Sequence, residues 1–230
     1  MKAASVKIFL LVFFISLGNI HAVDITGSEI EAFLRGEYNR VFNYYGDISA
    51  IGSLKLNKMF VFKAGFSLGN AADSTNIKTH TSAAITPFLG IPLNFHVMYI
   101  YNEIPDYENK SHTILPLVSF NTAVFGASIG PGLRFTSFFD ELAIFESIIS
   151  VSVYFNFINN DKLCIGISAA NFNDFQVRNF GAYSLKLGTE VRLDGNWQII
   201  NELEFLQSGG DGLTTAFFGF GWKGGVRYTW

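Results

Sequence analysis

The stretch FGFGWKGGVRYTW, residues 218–230, decides the fold. Phe218, Phe220, Trp222, Val226, Tyr228 and Trp230 fall on one parity, and Lys223, Arg227 and Thr229 fall on the other. Alternation with period two marks a strand with one apolar and one polar face. The same division holds in MFVFKAGFSLG (59–69), where Phe60, Phe62, Ala64, Phe66 and Leu68 oppose Val61, Lys63, Gly65 and Ser67. In YSLKLGTEVRL (183–193), Tyr183, Leu185, Leu187, Val191 and Leu193 oppose Ser184, Lys186, Gly188, Glu190 and Arg192. Every charge in these three segments lies on the polar parity.

Composition narrows what such strands can build. The chain has 230 residues, 49% of them hydrophobic and only 15% charged. That suits one domain with a full core, or one closed barrel, and opposes a disordered chain. A formal net charge of −3 argues against a nucleic-acid partner, which requires a basic patch. The single cysteine, Cys164, excludes an internal disulfide and a multi-cysteine zinc site. His96 and His112 show no metal-ligand spacing, so neither metal nor cofactor is expected.

The N-terminus reads as an export signal. Lys2 and Lys7 precede the apolar run IFLLVFFISL (8–17), and Ile20-His21-Ala22 supplies a small residue for cleavage. A spanning helix needs about 20 apolar residues, more than this run provides. The expected division is a signal peptide over 1–22 and one barrel domain over 23–230. Beyond Ala22 no apolar run approaches the length of a spanning helix.

Turn signals then separate a membrane barrel from a soluble sandwich. Leu56-Asn57-Lys58, Gly90-Ile91-Pro92, Asn121-Thr122, Asn159-Asn160-Asp161 and Asp194-Gly195-Asn196 recur roughly 30 to 39 residues apart. Between them lie longer polar stretches at 69–79, 103–111, 137–141, 171–179 and 208–212. Short turns on one side and longer loops on the other are the layout of outer-membrane barrels. A first hairpin across Phe42–Gly46 brings the expected number of antiparallel strands to twelve, closed into an all-β transmembrane barrel. Gly130-Pro131-Gly132 reads as a bulge in a long strand or as a turn that would change the strand count. Ten strands is the alternative, because twelve leave only about 17 residues of 23–230 for each strand with its connection. Aromatic girdles are expected at Phe60, Phe155, Phe157, Trp197, Tyr228 and Trp230 on the short-turn side. Tyr99, Tyr101 and Tyr183 would mark the loop side.

The last eight residues resemble the C-terminal β-signal of bacterial outer-membrane β-barrel proteins. Lys223 stands at its polar position, Gly225 at its glycine, and Tyr228 and Trp230 at its closing aromatic places. The resemblance implies an outer-membrane location and outer-membrane lipid as surroundings. It also implies that the barrel-assembly machinery reads these four residues during insertion.

Catalytic motifs are present but lack their structural context, and no enzyme is expected. Gly219–Gly224 fits G-x-G-x-x-G, yet only six residues follow and they alternate as a strand. Gly126–Gly130 fits G-x-S-x-G, but Pro131-Gly132 opposes the required helix and every histidine lies upstream. His80-Thr81-Ser82 fits a barrel lipid hydrolase except that Ala83 stands where that class carries Asn.

What remains is the polar face. It carries Lys63, Arg134, Lys186, Glu190, Arg192, Glu202, Glu204, Lys223 and Arg227, with Glu31, Arg35, Glu37, Lys55 and Glu146 besides. These eight basic and six acidic groups line either a solute pathway or a self-neutralised filling. Parity around Asp194-Gly195-Asn196 places Lys186 opposite Glu204 as a direct ion pair, and leaves Glu190 to find Arg192 or Lys223. Small residues on the same face (Gly65, Ser67, Gly126, Ser128, Gly166 and Ser168) are expected to leave space. The expected function is a porin-like passive channel for small hydrophilic solutes. The alternative is a structural or surface-interaction barrel with no open pore.

Overall fold

The computed structural model describes residues 25–39, 43–56, 59–71, 74–85, 93–139, 142–178, 182–193, 195–209 and 215–230. The expected signal peptide, residues 1–22, lies outside them. The strands are β1 (Ile25–Asn39), β2 (Asn43–Leu56), β3 (Phe60–Ala71), β4 (Ser74–Ile85), β5 (Leu93–Ile104), β6 (Asn109–Asn121) and β7 (Phe125–Phe138). They continue as β8 (Leu142–Asn159), β9 (Leu163–Ala170), β10 (Phe172–Asn173), β11 (Gln176–Val177), β12 (Ala182–Arg192), β13 (Trp197–Gly209) and β14 (Thr215–Thr229). Twelve of them close into one antiparallel barrel, with β1 paired to both β2 and β14, and β10–β11 forms a separate small hairpin.

Closure has a physical cause. An open sheet edge in hydrocarbon leaves backbone groups unpaired at several kcal/mol each, and a closed ladder leaves no edge. The seam runs from Glu29 opposite Thr229 to Asn39 opposite Gly219, with Trp230 N–H donating to the Ser28 carbonyl at 3.1 Å. Gly225 is required here, because a Cβ at that position would lie 2.5 Å from both the Ala32 carbonyl and the Phe33 Cβ.

Alternation holds around the wall. Side chains such as Ile30, Phe66, Val97, Phe135, Ile149, Ile167, Leu187 and Phe220 stand exposed on the outer face, which only a lipid solvent makes favourable. Trp197, Tyr228 and Trp230 form a ring-to-ring series at the short-turn end, with centroids 4.9 and 5.7 Å apart. At the opposite end Tyr99 bonds His112 at 2.8 Å, and the Tyr101 ring lies 5.0 Å from that imidazole. Asn201 faces outward on β13 and takes the Trp222 indole N–H at 2.6 Å, so this polar group on the apolar face is partnered.

Some sequence expectations change. The polar run 69–79 is mostly wall: Gly69 to Ala71 pair with Asn76 to Ser74, and only residues 72–73 separate the strands. Asn43 to Gly46 belong to β2 rather than to a turn, and Phe42 lies outside the described residues. The 103–111 stretch shrinks to the 3-10 turn Pro105–Tyr107 closed by Glu108 in the left-handed region. Gly130-Pro131-Gly132 is neither bulge nor turn. The register on its two sides, Ile114 opposite Leu133 and Val118 opposite Ile129, is continuous. Pro116 and Pro131, which have no N–H to give, fall within the unpaired gap between them. Gly130 permits the resulting close approach, since a Cβ there would run into the Pro116 carbonyl.

Candidate functional site

The largest departure from expectation is the stretch 171–179, read from sequence as an outer loop. It turns inward. β9 ends at Ala170, opposite Ser152 of β8 and Ser184 of β12, so the backbone of β8 around Ile149 and Val151 loses its neighbour on that side. Asn171 replaces that neighbour. Its side-chain oxygen accepts from Val151 N–H at 2.8 Å, and its amide donates to the Ile149 and Arg178 carbonyls at 2.7 and 3.2 Å. Arg178 N–H returns to the Asn171 carbonyl at 2.6 Å and closes the base. Within the hairpin, Asn173 accepts from Phe175 N–H at 2.9 Å, the side-chain-to-backbone turn that Asn favours.

The hairpin fills two apolar sockets in the lumen. Val177 is buried with Met98, Ile100, Leu115, Leu117 and Ile148, and Phe172 packs on their edge. Phe175 is buried with Phe33 and Ile51, its ring 6.3 Å from Phe33 and edge-on to His80 at 6.1 Å. Gly65 makes room for it: a Cβ there would touch Ile51 and Phe175 at about 3.0 Å. Burial of a Val and a Phe side chain stabilises the docked hairpin by about 1.5–3 kcal/mol each.

Charged residues form two lattices. Toward the loop end, Arg35 pairs with Glu37 at 3.0 Å and Glu204 at 2.8 Å, and Arg178 meets Glu204 at 3.3 Å and Glu37 at 3.7 Å. Gly221 lies between Glu37 and Glu204 across β1, β14 and β13, so no side chain separates these carboxylates. Toward the short-turn end six residues alternate in sign. Lys186 meets Glu202 at 3.4 Å, Glu202 meets Lys223 at 3.5 Å, and Lys223 meets Glu31 at 2.7 Å. Glu31 meets Arg227 at 2.8 Å, and Arg227 meets Glu190 at 3.4 Å.

The remaining expected lumen charges are also located. Arg134 pairs with Glu146 at 3.3 Å and donates to the Val177 carbonyl of the hairpin. Arg192 donates to the Asn160 carbonyl at 2.5 Å, at the short-turn rim. Lys63 faces the lumen near Asp174 at the hairpin tip. Asp174 is open to the lumen yet enclosed by the wall. That enclosure works to raise its carboxyl, but Lys63, His80, Lys223 and Lys186 outweigh it and hold the group below the ordinary aspartate range.

The expected register is correct, with Lys186 opposite Glu204 and Arg192 opposite Gln198, but the expected ion pairs are not. Glu204 is taken by Arg35 and Arg178, so Lys186 turns to Glu202; Glu190 finds Arg227 instead of Arg192 or Lys223. Of the small luminal residues, Gly65 admits Phe175 and Gly126 admits Tyr154 rather than leaving space. Gly166 likewise admits Asn156, while Gly188 faces a cavity of about 120 Å³ lined with Lys186, Glu190 and Glu202. A second cavity of about 100 Å³ lies against the hairpin, among Phe33, Asp174, Phe175, Glu204 and Lys223, and shares Lys186 and Glu202 with the first.

The hairpin residues Asn171, Asp174, Phe175, Val177 and Arg178 were missed in the sequence. The available signal was apolar side chains on the luminal parity: Phe33, Ile51, Met98, Ile100, Leu115, Leu117 and Ile148. A strand apolar on both faces needs a partner on both, and lipid covers only one.

No protein-family model matches the sequence, and neither does any curated protein sequence. Solved structures do match in shape. The NanC porin superposes with a TM-score of 0.57 at 9% identity, over 86% of this chain and 98% of that one. The KdgM porin, solved with disordered oligogalacturonate, gives 0.55 at 10% identity, over 87% and 98%. The translocator domain of the autotransporter NalP from Neisseria meningitidis gives 0.49 at 11% identity, over 99% and 96%. This chain therefore has the fold of the outer-membrane β-barrels, closed over twelve strands.

Proposed function

We propose that the chain is a porin-like passive channel of the outer membrane, exported by residues 1–22. It passes small hydrophilic solutes through a lumen narrowed by the hairpin Asn171–Arg178. One observation carries this reading: two luminal cavities lie side by side along the β9, β12 and β13 wall up to the hairpin, with Lys186 and Glu202 lining both. Backbone conformity to NanC and KdgM supports a barrel wide enough for such a lumen, while their ligands are not carried over. The reading assigns no catalytic step.

The same proposal gives Lys223, Gly225, Tyr228 and Trp230 to recognition by the barrel-assembly machinery. Lys223 and Gly225 have a second use, since one joins Glu202 to Glu31 in the ionic series and the other admits Phe33. The anchoring of the hairpin by apolar sockets and two glutamates favours a second reading, a barrel kept shut by its own filling.

Single-channel recording in planar bilayers tests both. Discrete conductance steps support the channel, and their size bounds its width. Silence from folded, inserted protein supports the shut barrel.

A further inference from the structure

The luminal charges expected from the sequence lean basic, but the linings of the two cavities do not. These adjacent cavities are lined by three cations, Arg35, Lys186 and Lys223. Against them stand five carboxylates: Asp47, Asp174, Glu190, Glu202 and Glu204. The excess basic groups face elsewhere. Arg134 is held by Glu146 and the hairpin backbone, Arg192 by the short-turn rim, and Lys78 by Tyr45 at 2.7 Å.

The five carboxylates are not equivalent. Glu202 and Glu204 each hold two cations within 3.5 Å, and Glu190 holds Arg227 at 3.4 Å. Asp47 is buried and accepts from Ser49 at 3.0 Å. Asp174 is 40% exposed, and its nearest ion-pairing group is the His80 imidazole at 4.0 Å, which carries charge only when protonated. Lys63 acts on it through space but lines neither cavity. The hairpin thus presents a carboxylate with spare capacity inside the lumen, at the lining of the cavity beside it. Among the described residues no Lys or Arg lies within ion-pairing distance of Asp174, so a diffusing ion there meets a carboxylate whose neighbouring lysines act only through space.

We propose that the lumen selects for cations, and that Asp174 is the specificity-determining residue. The solutes favoured are small hydrophilic ones carrying positive charge. This rests on the channel reading and adds to it the sign of the solute.

The test is the reversal potential across a planar bilayer in a tenfold KCl gradient. The protein is extracted from membranes after expression of the whole chain, with insertion verified by resistance to external protease. Wild type is expected to show cation preference. A carboxylate about 6 Å from a monovalent ion in a water-like dielectric changes that ion's local concentration roughly threefold. Asp174→Asn therefore lowers the cation-to-anion permeability ratio by about threefold or more, and Asp174→Glu preserves it. Anion preference in wild type, or an unchanged ratio in Asp174→Asn, overturns the assignment while leaving a channel. Absence of conductance from inserted protein overturns the channel reading, and the selectivity with it.

Discussion

Replacing Phe175 by alanine tests the hairpin as the constriction. Phe175 is buried at 6% exposure against Phe33, Ile51 and the His80 ring, and makes no contact that the wall needs for its own ladder. Truncating a packed Phe costs about 3–5 kcal/mol. One side of this socket opens onto the 100 Å³ cavity, so the lower end of that range applies. The loss falls on the docked hairpin and spares the barrel. About 3 kcal/mol moves the ratio of docked to undocked hairpin roughly 100-fold. Adding Val177→Ala empties the second socket and moves the ratio further in the same direction. Single-channel recording should show larger, noisier steps in Phe175→Ala, and more so in the double variant. The heat-induced gel shift of the barrel should stay near that of wild type. Equal step size and equal noise in wild type and both variants would refute the hairpin as the narrow point.

Three further outcomes follow from the same contacts. Gly225→Ala forces a methyl to within 2.5 Å of the Ala32 carbonyl and Phe33, and should cost about 1–3 kcal/mol, seen as a lower urea midpoint. Tyr228→Ala with Trp230→Ala should sharply reduce folded yield in the outer membrane, and a normal yield contradicts the assembly-signal proposal. Asp174 has a depressed carboxyl, so its contribution to docking is complete above the unfolded aspartate value near pH 3.9. That contribution fades as pH falls through the lower folded value. The proteolytic susceptibility of the hairpin in wild type should accordingly approach that of Asp174→Asn only in that acid window.

The wall was legible because its signal is local and repeated. Phe60 to Leu68, Tyr183 to Leu193 and Phe218 to Trp230 each state inside and outside residue by residue, and every one of those assignments concerns a single strand and its solvent. Register was legible for the same reason: Lys186 stands opposite Glu204 because parity and one short turn fix the count. The partner choice of Glu204 was not. It depends on Arg35, two strands away across the gap at Gly221, and on Arg178, from a segment outside the ladder. The stretch 171–178 carries Asn173 and Asp174, and taken alone it is indistinguishable from a surface turn. Its destination is written in Leu115, Leu117 and Ile148, which spoil the alternation of β6 and β8 and lie 23 to 63 residues earlier in the chain.

Those spoiled positions also explain where the luminal cavities lie. Five of the apolar inward residues lie on β5, β6 and β8, Phe33 and Ile51 lie on β1 and β2, and the alternating ion series runs along β12, β13, β14 and β1. The interior is therefore two-sided, one wall dry and the other ionic. A hairpin entering this space has one place for Val177, against the dry wall, and one for Arg178, at Glu37 and Glu204 on the other. It consequently lies across the lumen and seals the apolar half, where Leu115 is fully buried and no water is needed. Charged side chains do not close the opposite half as tightly, and the cavity lined by Gly166 and Gly188 lies beside the Lys186–Glu202 pair. The position of the cavities then follows from the apolar residues on the luminal parity: the cavities lie beside the ionic series because Val177 of the hairpin packs against Met98, Ile100, Leu115, Leu117 and Ile148.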